Sequence, residues 1–106
     1  MLVVMHKHND TWSFADPPNV ATITVRQITS RQQPILLVCH EEEDGTWLFL
    51  TGGAFNAEDS TMVSLRTILQ LDSSVSALSD LPLGWEASRE SPTHPWARAK
   101  SINTDA

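Results

Sequence analysis

The segment Pro34–Gly53, PILLVCHEEEDGTWLFLTGG, decides the architecture of this chain. Ile35 to Cys39 is an unbroken apolar run, His40 to Asp44 is polar and mostly acidic, and Trp47 to Leu50 is apolar again. Two apolar runs around a polar Gly-containing step read as a β-hairpin, with strands at about 35–41 and 46–51. Asp44-Gly45 suits a type I′ turn, in which both central residues take positive φ. Side chains alternate along a strand, so Trp47 and Phe49 share one face and Leu48 and Leu50 the other. Apolar residues on both faces predict a central strand covered twice. Gly52-Gly53 closes the element.

Outward from the hairpin, residues 20–23 form a candidate strand. Thr24 and Gln27 have capping-box spacing for a short helix over 25–30, although the β-branched residues equally allow a strand over 20–28. Met62 to Leu65 suggests a third strand. Leu65, Ile68, Leu69 and Leu71, and then Val75, Leu78 and Leu81, recur at helical spacing and predict helices over 64–71 and 74–81. Asp72 or Ser73 caps the second of these. Trp85 to Arg89 alternates as a last strand, with Trp85 and Ala87 inward. Asp16-Pro17-Pro18-Asn19 separates off residues 1–19 as an arm or edge strand, and 91–106 reads as a mobile tail. The expected fold is α+β: one domain over 20–90, an antiparallel or mixed sheet of about four or five strands, and two or three short helices.

The chain has 106 residues, 41% of them hydrophobic and 19% charged, which is a globular composition. Its net charge of −6, with seven scattered basic residues, argues against a nucleic-acid partner. The longest apolar run is far short of the roughly 20 residues a membrane helix needs. Leu2 to Met5 is too short for a signal-peptide core, so the expected compartment is the cytoplasm. One cysteine, Cys39, excludes an internal disulfide and a cysteine-rich zinc site.

Within these bounds, the order of elements resembles the immunity-protein-33 family of small bacterial domains, also called domain of unknown function 2185. The likeness rests on Val25 to Ile28, Pro34 to Val38, Asp44 to Phe49 and Thr51-Gly52. It continues through Leu65 to Ile68, Asp72 to Leu78, Leu81 to Trp85 and Arg89-Glu90, and so spans about residues 20–90. The family's acids just after the strand-ending glycine are replaced here by Gly53-Ala54-Phe55, with Glu58-Asp59 arriving later. The resemblance implies a mixed α+β fold and a role in neutralising a toxin.

For function, the leading expectation is a non-enzymatic, immunity-type module that binds another protein. Its acidic surface suits a basic toxin. The partner-binding candidates are Glu41, Glu42, Glu43 and Asp44 in the turn, with Trp12 and Trp96 in the flanking segments. A homodimer stays open. No catalytic residue, metal ligand or cofactor is assigned. The four acids also serve as a charged hairpin tip that discourages edge pairing. His40 with the acids at 41–44 is the basis of the alternative, a small metal-dependent or hydrolytic enzyme; an accessory or structural subunit is the third reading. Cys39 and His40 are adjacent on a strand and point to opposite faces, so they form no nucleophile–base pair. His6 and His8 have the spacing for half a metal site, completed only if His40 or Glu41 lies nearby.

Overall fold

The computed structural model describes residues 12–101. These form one α+β domain with a six-stranded sheet: β1 (Ala21–Val25), β2 (Leu37–His40), β3 (Trp47–Leu50), β4 (Ser60–Ser64), β5 (Trp85–Ser88) and β6 (Ala97–Lys100). The order across the sheet is β4-β1-β3-β2-β5-β6. β1 and β3 run parallel, and every other neighbouring pair is antiparallel. Helix α1 (Arg26–Thr29) continues directly from β1, and α2 (Leu65–Leu71) from β4. Single 3-10 segments occupy Ala57–Asp59 and Ser73–Leu78.

The hairpin forms at the expected place with a different turn. His40 pairs with Trp47, Glu41 N donates to Thr46 O, and Gly45 N donates to Glu41 O. The loop is therefore four residues, 42–45, and only Gly45 has positive φ (74°). Asp44 keeps an ordinary backbone because its carboxylate accepts from Thr46 N at 3.0 Å, a local bond that fixes the residue without the left-handed conformation. The same hydrogen bond is the main reason its carboxyl titrates below the usual range.

Burial divides the sheet by face except at the end of β1, where Val25 is buried on the side of Ile23. Thr22, Thr24, Val38, Trp47, Phe49 and Ala87 alternate onto one face and are buried. They pack with Leu65 and Ile68 of α2, with Val75 and Leu78 of the second 3-10 segment, and with Leu81. The opposite face carries Ile23, Leu37, Cys39, Leu48 and Leu50, all only half-buried, and Met62, which is 67% exposed. The expectation of a doubly covered strand is thus corrected: β3 is central, but α2 and the second 3-10 segment pack against one face, where its Trp47 and Phe49 are buried, while Leu48 and Leu50 are only half-buried.

Local chemistry explains the remaining departures. Thr24 is not a helix cap. It stays in β1 and its hydroxyl donates to Phe49 O at 2.7 Å inside the core. Val25 takes the cap position of α1 with no side-chain bond. Ser64 caps α2 through Thr67 N, and Asp72 caps the next segment through Ser74 N. That segment winds as 3-10 over Ser73–Leu78, shorter than the helix expected over 74–81. The region beyond Ser91, read as a tail, supplies β6, which pairs residue for residue with β5. All four β6 side chains are exposed, so hydrophobic patterning carries no trace of it.

Candidate functional site

The acidic turn lies at one end of the sheet. Glu41, Glu42, Glu43 and Asp44 are all exposed. His40, the last residue of β2, is held from two sides. Its ring stacks on Trp47 (centroids 3.8 Å apart, 12° between planes), and Nδ1 lies 2.7 Å from Leu81 O. Nδ1–H donating to that carbonyl fixes the tautomer and leaves Nε2 as the acceptor nitrogen. Gly84 N donates to His40 O, and Ser101 N donates to Gly84 O, so Ser101 is tied to the same corner. Gly84 has φ 81°, and a Cβ there would come within 3.1 Å of Glu42 Oε1. Glu42 therefore lies against a glycine whose positive φ makes any side chain there strained.

Electrostatics at this corner are one-sided. Arg26, Arg89, His94 and Arg98 lie against Asp59, Asp72, Glu90 and Asp80 respectively. Among the described residues no basic group forms a salt bridge with Glu41, Glu42, Glu43, Asp44 or Glu86. Cys39, between Glu41 and Glu86, registers the result. Burial first, then Glu86, then Glu41, push its pKa from 9.0 up to about 11. The thiol is a protonated side chain and not an activated nucleophile.

A reactivity assay checks this. At pH 8 a two-unit rise leaves about a hundredfold less thiolate than in the unfolded chain, so alkylation of folded protein should be slower by about that factor. The sign for stability follows. The thiol's contribution to folding is complete below pH 9.0 and is lost as pH rises to about 11, because the unfolded chain gives up the proton first. Alkylation as fast as that of a free thiol would show that neither burial nor the acids act on Cys39.

The other candidates are distributed unevenly. Trp12 is half-buried on the turn's end of the core. Its indole donates to Asp16 O at 2.8 Å, and the Asp16 carboxylate accepts from Trp47 Nε1 at 2.9 Å. Trp96 lies at the opposite end of β2, half-buried, with the Arg89 guanidinium 4.1 Å above its ring. The structure therefore brings Glu41–Asp44 and Trp12 toward one end and leaves Trp96 at the other. His6 and His8 lie outside the described residues. Among the described residues no three His, Cys, Asp or Glu side chains are grouped as metal ligands. Among the described residues no helix is long and apolar enough to cross a membrane.

Sequence reasoning missed two features. One is Glu86, a single acid on an alternating strand that lands beside Cys39 once β5 pairs with β2. The other is Arg89, whose side chain is only 2% exposed. It donates from Nε and Nη2 to Ile35 O, from Nη2 to Asp72 Oδ2 at 2.7 Å, and from Nη1 to Ser74 and Pro92 O. Asp72 and Arg89 are 17 residues apart, so only the folded topology reveals the pair. No protein-family model, curated protein or solved structure matches this chain.

Proposed function

We propose that the chain is a non-enzymatic protein-binding module, of the immunity type suggested by its sequence resemblance, that acts in the cytoplasm on a basic protein. The observation that carries this reading is the set of acids at the turn corner. Glu41, Glu42, Glu43 and Glu86 have no cationic partner among the described residues, although Asp59, Asp72, Asp80 and Glu90 elsewhere each have one. Uncompensated charge of one sign costs self-repulsion, which a complementary partner relieves. The hydrolytic alternative is less well supported. His40 is clamped between Trp47 and Leu81 O, and the thiol beside it in sequence points to the other face with a raised pKa.

Replacing both Glu42 and Glu43 with Gln should leave folding within about 0.5 kcal/mol, since both side chains are exposed. The same change should slow association with a partner captured from the native host and flatten its salt dependence, because rim charges act mainly on the on-rate. On-rates at two salt concentrations measure both. Equal on-rates for wild type and variant at low salt would remove the acidic corner from recognition.

A further inference from the structure

The half-covered face of the sheet carries a continuous cross-strand row. Register places Met62 beside Ile23, Ile23 beside Leu48, Leu48 beside Cys39, Cys39 beside Glu86, and Glu86 beside Ala99. The row crosses all six strands and changes character along its length. It is apolar from β4 through β3, carries a thiol on β2 and a half-buried carboxylate on β5, and ends at Ala99 on β6. Leu37 and Leu50, paired with each other, extend the apolar part along the strands. An antiparallel sheet with one solvated face ordinarily places polar residues there. Here five aliphatic side chains stand on that face, four of them half-buried and Met62 67% exposed among the described residues.

From this face we infer that it is the seat of an amphipathic helix from the partner protein, whose apolar stripe lies over β1, β3 and β2 and whose Lys or Arg residues flank the stripe on the β5 side. The inference rests on the protein-binding reading above and adds to it the surface used and the chemistry of the occupant. Charge selects the occupant. Among the described residues Glu86 has only Ser101 Oγ at 3.4 Å, and Glu86 and Glu41 line one cavity together with Cys39. A cation arriving over β5 meets both carboxylates. A second copy of this chain brings the same sign, with a net charge of −6 on each.

Size selects against a second copy as well. Six strands about 4.8 Å apart, four or five residues long at about 3.3 Å each, present a footprint of about 24 by 13–16 Å. That is well below the roughly 800 Å² per partner of a stable globular interface. The three central strands are about 10 Å across, which matches a helix about 10–12 Å wide. Helix recognition through an apolar stripe is an established mode of peptide binding.

The test uses the full chain and two synthetic 18-residue helical peptides with the same leucine stripe, one flanked by lysines and one by glutamates. The lysine peptide should bind about tenfold more tightly than the glutamate peptide. It should also slow alkylation of Cys39, which lies in the middle of the face. Glu86→Lys should erase or reverse the preference, and Met62→Glu, at a site already exposed, should weaken both peptides without unfolding the protein. Circular dichroism confirms that each variant is folded.

Three results would overturn the inference: binding that leaves Cys39 alkylation unchanged, equal affinity for the two peptides with Glu86→Lys indifferent, or a dimer in sedimentation whose Cys39 is protected without peptide. If Cys39 stays unprotected while the Glu42/Glu43 variant still slows partner association, the module binds through another surface and only the present inference fails.

Discussion

Arg89→Leu should destabilise the domain by about 3–5 kcal/mol, the range for breaking a buried ion pair from one side. The substitution strips the guanidinium from Ile35 O, from Asp72 and from the Trp96 ring together. It leaves the Asp72 carboxylate, only a quarter exposed, without its cation. A loss of this size is a large part of the 5–15 kcal/mol typical of a domain. Urea melts of wild type and variant measure it. Arg89→Lys should recover little, since an ammonium cannot span the fork of acceptors or stack on the indole. A double-mutant cycle with Asp72→Asn separates the ion pair from the rest of the network. A variant within about 1 kcal/mol of wild type would show that burial of Arg89 is incidental. The Trp96 indole also has a cost of its own: Nε1 is buried with no acceptor among the described residues. Stacking under Arg89 offsets it, as expected for a desolvated cation–π contact.

The second large effect belongs to Phe49. Its side chain is fully buried on the central strand and its carbonyl accepts the Thr24 hydroxyl. Phe49→Ala should cost about 3–5 kcal/mol through lost transfer energy and the cavity left behind. Phe49→Leu keeps most of the volume and should cost less than about 1.5 kcal/mol. Thermal or denaturant unfolding of the pair gives the difference directly. Similar losses for both would mean that ring shape, through the stack on Trp47 6.1 Å away, matters more than volume.

The legible parts of this fold were those written in local pattern. Apolar runs around a glycine identified the β2–β3 hairpin, and Leu65, Ile68, Val75 and Leu78 identified the helical side of the core. What stayed hidden depends on long-range partners. Thr24 has the spacing of a cap, but a buried acceptor 25 residues away outcompetes that local bond. All four β6 side chains are exposed, so its ARAK sequence carries no strand signal. One exposed face could not be told from two buried ones, because Leu48 and Leu50 are as apolar as Trp47 and Phe49. The acidic turn was evident as charge. That its neighbour across the sheet is Glu86, and that an aliphatic row adjoins it, required the register.

The strand order has a consequence for how quickly the domain assembles. β2 and β3 are joined by six residues and meet within microseconds, as hairpins do. β1 cannot take its place until it finds β3, about 25 residues on, and β4, about 40 residues on. Both closures carry loop entropy before any pairing compensates it, which places the domain among the slower, non-locally connected folders. Because β1 is the wedge between the hairpin and the β4 edge, its insertion is the expected rate-limiting event. Gly45→Ala strains the hairpin at φ 74° and should slow folding, whereas loosening β6 with Ala99→Gly should chiefly hasten unfolding. Stopped-flow kinetics across urea would show the two limbs responding to different ends of the same sheet, with the outermost strand the last to join.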